Sequence, residues 1–301
     1  MKIALLFPGQ GAQKMGMGLD FYESFPHVQA IYDEFPLIRD ICFKNENDGL
    51  SHTLTTQQAI LLTSVSMASL LKKHLSISAM AGLSLGEYSA LVSSEALSLE
   101  DAIPLIQKRG SLMQEALKDH ETGMSAIISE ELELIKKIVA EANRVGVCSI
   151  ANINAPNQVV MSGSKEALDY AKTKLMEAGI RKVIPLRVAG AFHSAYLKDV
   201  SQPLKEALQD VVWDTSTCPI ILNVDAQPHT HSFIEPLSKQ IYSSVLWMDS
   251  LKALEALGID TMIEVGPSST LSSMIKATCP NMNHYVVNDV PSFEKTLKEL
   301  L

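Results

Sequence analysis

Residues Ala81–Leu91 read A-G-L-S-L-G-E-Y-S-A-L, with Ser84 two residues from Gly82 on one side and from Gly86 on the other. A short apolar run, Ile77–Ala81, precedes the serine, and good helix formers follow from Glu87 to Val92 without a proline. The spacing predicts a sharp strand-to-helix turn, because a strained backbone packed against its neighbours has no room for Cβ atoms at the two glycines. A strand that passes straight into a helix belongs to a layered α/β architecture. The same turn would expose the serine hydroxyl. The first N–H groups of the following helix lack intrahelical partners, so the Leu85 amide would be free to receive an oxyanion. Glycine–serine turns also join strands to helices without any chemistry, so the pattern becomes catalytic only if a base accompanies it.

The rest of the chain alternates in the same manner. Lys2–Phe7 reads as a buried strand, and Pro8–Gly18 as a glycine-rich loop leading into a helix. That loop fails as a phosphate cradle. Lys14 stands where a dinucleotide fingerprint needs glycine, and Met17 where a nucleotide-binding loop needs lysine. Leu99–Lys118 reads as an amphipathic helix with one apolar row, Ile103, Ile106, Gly110, Met113 and Leu117. The segment 124–187 has the order strand, helix, strand, strand, helix, strand, the ferredoxin-like pattern. Beyond it lie a helix over Leu197–Val211, a strand over Ile220–Val224, a helix near Pro236–Tyr242 and a strand over Thr261–Val265. The expected fold is therefore an α/β-hydrolase-like domain with a parallel sheet, formed by 1–123 and 190–301, interrupted by a ferredoxin-like α+β subdomain at 124–189.

Composition narrows the function classes. The 301 residues are 47% hydrophobic and 20% charged, with a net charge of −9 and no Lys/Arg-rich run, which argues against nucleic acid or an anionic membrane as a partner. Cys42, Cys148, Cys218 and Cys279 are scattered without metal-ligand spacing and read as reduced thiols of a cytoplasmic protein. The apolar stretch after Lys2 is too short for a signal peptide, and no segment reads as the ~20 apolar residues of a membrane span.

Serine needs a base at neutral pH, and the chain has eight histidines. His27, His74, His120 and His284 sit on or beside ordinary helical or terminal segments. His229 and His231 flank Thr230 in a polar loop with no third metal ligand nearby. His193, in the small-residue loop Gly190–Ser194, follows a strand at the expected domain junction, where α/β folds gather catalytic groups. A further residue stands out. Arg109 interrupts an apolar helical row (Ala102, Leu105, Leu112, Ala116) and calls for an anionic partner, either an internal carboxylate or that of a substrate.

The blocks F-P-G-Q-G-A-Q (Phe7–Gln13), G-L-S-L-G-E-Y-S-A-L (Gly82–Leu91), K-R-G-S-L-M-Q (Lys108–Gln114), A-N-I-N-A-P-N-Q-V-V-M-S-G (Ala151–Gly163), G-A-F-H-S (Gly190–Ser194) and E-V-G-P (Glu264–Pro267) span nearly the whole chain. In this order they resemble the malonyl-CoA:acyl carrier protein transacylases. The resemblance implies the same two-unit fold. It also implies a dyad without an acid, with Ser84 as nucleophile and His193 as general base, the latter oriented by the backbone carbonyl of Gln240. Gln10 and Leu85 would supply the oxyanion amides, and Arg109 would hold the free malonyl carboxylate. Phe192 and Met113 would bound the acyl pocket, with Gln57 nearby. The implied substrates are malonyl-CoA and the phosphopantetheine thiol of an acyl carrier protein in fatty acid or polyketide synthesis. No resident cofactor or metal is implied, and the chain is expected to act as a monomer.

The sequence departs from the family pattern at several points. Leu83 stands in place of histidine, Gln58 of proline, Asn157 of glycine, Ser243-Ser244 of Asn-Pro, and Ser268-Ser269 of Gly-Lys. None removes the dyad or the arginine, but Leu83 changes the polarity of the expected pocket. Two rival readings remain at this level: a serine acyl hydrolase on the same scaffold, and a non-enzymatic scaffold or nucleotide-binding subunit. Arg181, Lys182, Arg187, Lys72 and Lys73 are the candidate basic residues for an acidic carrier.

Overall fold

All 301 residues are described in the computed structural model, and its strands in chain order are β1 (Ile3–Phe7), β2 (Ile77–Gly82), β3 (Thr122–Ile128), β4 (Cys148–Ala155), β5 (Gln158–Ser164), β6 (Val183–Pro185), β7 (Ile220–Ile221), β8 (Pro228–His229), β9 (Thr261–Val265) and β10 (Asn283–Val287). Every residue of β1 is buried. A strand with no polar face must be covered on both sides, which is the situation of a parallel sheet between helical layers. Its side chains divide accordingly: Ile3, Leu5 and Phe7 enter one apolar cluster, Ala4 and Leu6 another. The sheet order is β10-β9-β1-β2-β7-β8, parallel except for the short terminal strand β8.

The remaining strands form a second sheet, β4-β5-β3-β6, in which every pair is antiparallel. Helices Leu132–Ala142 and Lys165–Glu177 supply its third apolar cluster, with Ile135, Val139, Leu168 and Leu175 against Ile127 and Val159. This order and helix placement match the ferredoxin-like pattern. The two sheets are tied directly. Val245 donates its N–H to the Ala151 carbonyl at 2.8 Å and accepts from the Ile153 N–H at 3.0 Å, so β4 is anchored a few residues from Gln240 and Ser243.

Several expectations require correction. The helix Thr53–His74, 22 residues long, is long and apolar enough to cross a membrane, although the sequence reading found no such segment. It runs through the core and is largely buried, so its apolar surface is spent on packing. The last strand expected in the segment 124–187 is only Val183–Pro185, and His193 follows an irregular stretch rather than a strand end. The strand expected over Ile220–Val224 is only two residues long, because Asn223 is drawn into hydrogen bonds with the serine turn. The helix expected over Leu197–Val211 is a short 3₁₀ turn, Ala195–Leu197, followed by Ser201–Gln209. Two elements are not among those expected: β10, which carries His284, and the terminal helix Val290–Leu300. That helix is opened by an Asp289–Ser292 capping box with Pro291 in its first turn.

Candidate active site

β1 and β2 end side by side, and the two loops leaving them meet: Leu83 donates its N–H to the Phe7 carbonyl at 2.9 Å. The glycines of the turn are sterically required. A Cβ on Gly86 would lie 2.2 Å from the Phe7 carbonyl oxygen, and one on Gly82 1.9 Å from the Gly86 carbonyl carbon. Ser84 itself sits at φ 53°, the left-handed region, at a cost on the order of 1–3 kcal/mol. Its backbone is held from both ends. The Ser84 N–H donates to Asn223 Oδ1 at 2.7 Å, and its carbonyl accepts from Gln240 Nε2 at 2.8 Å. The helix Gly86–Ser93 follows at once.

His193 Nε2 lies 2.7 Å from Ser84 Oγ. Its Nδ1 faces two carbonyls, Gln240 at 2.9 Å and Ser243 at 3.2 Å, so Nδ1 must carry the proton and Nε2 the lone pair. No carboxylate takes part. Burial, and then the nearby Arg109 charge, pull the imidazole down to about 4, against the two carbonyls that favour its charged form. It is a neutral acceptor at physiological pH. Like the serine, His193 has a positive φ, 56°, and its own N–H is fixed on the Ile241 carbonyl at 3.1 Å. Ser243 contributes only its carbonyl, which explains why the departure from asparagine leaves this contact intact.

Arg109 is buried on the helix Leu99–Leu117, and no ion pair includes it. Its guanidinium donates to Gln57 Oε1 at 2.9 Å, Gln240 Oε1 at 2.9 Å and Ser84 Oγ at 3.2 Å, and it lies 5.7 Å from the centre of the Tyr88 ring. These three bonds use three of its five N–H groups, and Nε has no partner. Burial lowers its pKa, yet a guanidinium stays protonated. No internal carboxylate, one of the two partners the sequence left open, contacts it: Glu87 acts on it only through space, and its hydrogen bonds go to neutral oxygens beside the nucleophile. Gln57 is held in turn, donating to Gln10 Oε1 at 3.2 Å. Gln58 donates to the Ile103 carbonyl at 3.2 Å and cross-links the helices that carry Gln57 and Arg109.

A cavity of about 260 Å³ opens onto these groups. Gln10, Gln57, Leu83, Ser84, Leu85, Arg109, Met113, Phe192 and His193 line it, while Gln240 stands behind them. The backbone N–H groups of Gln10 and Leu85 donate to nothing in the protein. The facing wall comes from the smaller sheet: Met124, Ala126, Asn152, Asn154, Gln158 and Val160. Leu83 packs with Leu271 and Met274 on one flank. All the residues expected in the dyad, the oxyanion hole and the acyl pocket are thus at or directly behind one cavity.

The description "Acyl transferase domain" matches residues 4–300. The malonyl CoA-acyl carrier protein transacylase of Bacillus subtilis (strain 168) is 36% identical over 310 residues, covering 99% of this chain and 98% of the relative. The crystal structure of the corresponding protein from Clostridium perfringens superposes with a TM-score of 0.96 at 33% identity, covering 100% of this chain and 97% of the other. A malonyl-transacylase solved in complex with its type II PKS acyl-carrier protein superposes at 0.95 with 30% identity, covering 99% and 100%. The chain belongs to the malonyl-CoA:acyl carrier protein transacylase family. It is an acyltransferase with a mixed α/β fold.

Three participants in this transacylase site escaped the sequence reading. Glu87 is buried on the turn helix, with both oxygens engaged: Oε1 accepts from the Asn223 N–H and Oε2 from Gln240 Nε2. Burial raises the pKa of its carboxyl, opposed by those two donors and by Arg109, and because each oxygen faces an N–H group that cannot accept, neither has room for a proton and the group stands as a carboxylate. The signal was available, since Glu87 interrupts an apolar helix as Arg109 does. Asn223 and Asn154 carried no such signal, because only the tertiary fold brings them here.

Proposed function

We propose that this protein transfers the malonyl group of malonyl-CoA to the phosphopantetheine thiol of an acyl carrier protein through a malonyl-serine ester. The observation that carries this reading is the buried, carboxylate-free Arg109 guanidinium 3.2 Å from the nucleophile. Such a cation favours an acyl group that brings its own anion, and two charge-assisted hydrogen bonds would orient it.

In the first half-reaction the Ser84 hydroxyl proton passes to His193 Nε2 as Oγ attacks the thioester carbonyl. The Gln10 and Leu85 N–H groups receive the developing oxyanion. The C–S bond then breaks, His193 returns the proton to the departing CoA thiolate, and malonyl-Ser84 remains. The carrier's thiol repeats these steps in reverse. Gln240 orients the base through its carbonyl. Phe192 and Met113 limit the acyl space, and Leu83 makes one flank apolar where histidine is the usual residue.

In this reading residues 1–123 and 190–301 carry the chemistry, and residues 124–189 complete the cavity. Arg181, Lys182 and Arg187 are exposed beside Leu186, which lines the cavity, and they suit an acidic carrier. Lys72 suits it less, being bonded to the Ser93 carbonyl and paired with Glu95 at 2.7 Å. A serine hydrolase would use the same dyad but has no need of a cation in its acyl pocket.

The test is Arg109→Ala, with Ser84 acylation followed by intact-protein mass spectrometry. Each charged hydrogen bond is worth about 1.5–3 kcal/mol, so malonyl labelling is expected to fall by about 10²-fold or more while acetyl-CoA is admitted. Equal loss of both acyl groups would contradict the role given to Arg109.

A further inference from the structure

Gln240 is the hub of the site, and its side-chain amide has a direction. Its oxygen faces Arg109 Nη2 at 2.9 Å, and its nitrogen faces two acceptors, the Ser84 carbonyl at 2.8 Å and Glu87 Oε2. Rotating the amide by half a turn would set its NH₂ against the guanidinium and its oxygen against a carbonyl and a carboxylate. Donor would meet donor and acceptor would meet acceptor. We propose that Glu87 is a positioning residue for acyl selectivity: its carboxylate fixes the Gln240 amide so that the amide oxygen holds Arg109 toward the acyl cavity.

The inference rests on the reading that Arg109 receives the malonyl carboxylate. Glu87 touches neither Arg109 nor the cavity; it acts through Gln240. Its other oxygen fixes the Asn223 backbone N–H, and Asn223 in turn holds the turn from its side chain, with Nδ2 donating to the Gly82 carbonyl at 2.7 Å and Oδ1 accepting from the Ser84 N–H. One buried carboxylate thereby sets two amides, one steering the selecting cation and one the nucleophile's backbone. A glutamine in its place would present one NH₂ among groups that are all donors on that side. The simplest relief would be a flipped Gln240, which would push its NH₂ against Arg109.

The experiment measures Ser84 acylation in full-length wild type, Glu87→Gln and Glu87→Asp. The donors are malonyl-CoA and p-nitrophenyl acetate, which acylates serine without offering a carboxylate. The expected result for Glu87→Gln is a malonyl-to-ester rate ratio at least tenfold below wild type, with the loss in the malonyl reaction appearing in KM for malonyl-CoA. Glu87→Asp, which keeps the acceptor but shortens its reach, should fall between. A ratio equal to wild type in folded variants, or a parallel fall with both donors, would overturn the inference. If Glu87→Gln does not fold, the ratio in Glu87→Asp decides alone by the same criterion. Wild type that takes no malonyl group would instead defeat the reading of Arg109, a separately visible failure.

Discussion

On the cavity wall built from the six-stranded sheet, Ser84, His193, Arg109, Gln57 and Gln240 are cross-linked by hydrogen bonds, and two of them sit at strained positive φ. On the wall built from the four-stranded sheet, the cavity meets Met124, Ala126 and Val160 beside Asn152, Asn154 and Gln158, none of which is bonded to the dyad or to Arg109, and Asn154 Oδ1 has no hydrogen-bond partner. The contrast separates two tasks. Proton transfer and carboxylate recognition need groups fixed to fractions of an ångström, which interlocking polar contacts provide. Covering the acyl chain needs shape, which apolar side chains provide with less demand on angle.

If this division is right, disturbing the first wall should have large and specific effects, and disturbing the second should have small and general ones. On the first wall, the first effect expected comes from the titration of His193. Its native pKa, about 4, lies below the ordinary 6.5, so the unfolded chain binds a proton that the native state refuses between those values. The stability contributed by His193 should therefore fall as pH drops from 6.5 toward 4, by about 2 kcal/mol between pH 7.5 and pH 5. Urea denaturation of wild type and His193→Asn at both pH values checks this, since asparagine tolerates the backbone position but does not titrate. Wild type should lose about 2 kcal/mol more than the variant. Identical acid sensitivity would show that the imidazole is not held neutral by the fold.

A smaller effect is expected on the facing wall. Val160 is buried on β5 and lines the cavity. Val160→Ala should cost about 1–2 kcal/mol in a urea melt, as expected for losing two buried methyl-sized groups. KM for malonyl-CoA should move by less than about threefold, with kcat unchanged. A fall in kcat of tenfold or more would erase the distinction between the walls.

What the sequence made legible follows the same division. The turn around Ser84 was readable because sterics demand glycine at Gly82 and Gly86, and Arg109 because a charge in an apolar row has few explanations. The strand Thr261–Val265 and the helix from Leu99 fall where their periodicity put them. The polar network behind the site was largely hidden. Asn223, Asn154 and the side-chain role of Gln240 arise from contacts across more than a hundred residues of chain or between the two sheets. Glu87 stands in plain view inside the turn motif, where its helix propensity masks its tertiary role. Strands β6 and β7 are shorter than expected because the fold bends the chain away toward His193 and Asn223, a tertiary demand that local pattern does not carry.

The most direct test of the central claim is intact-protein mass spectrometry of wild type and Ser84→Ala after mixing with malonyl-CoA, followed by addition of a carrier protein bearing free phosphopantetheine. The account predicts one malonyl adduct on wild type, mapping to the Ser84 peptide, none on the alanine variant, and movement of the mass to the carrier. An adduct retained in Ser84→Ala, or one released to water with the carrier left unloaded, would contradict it.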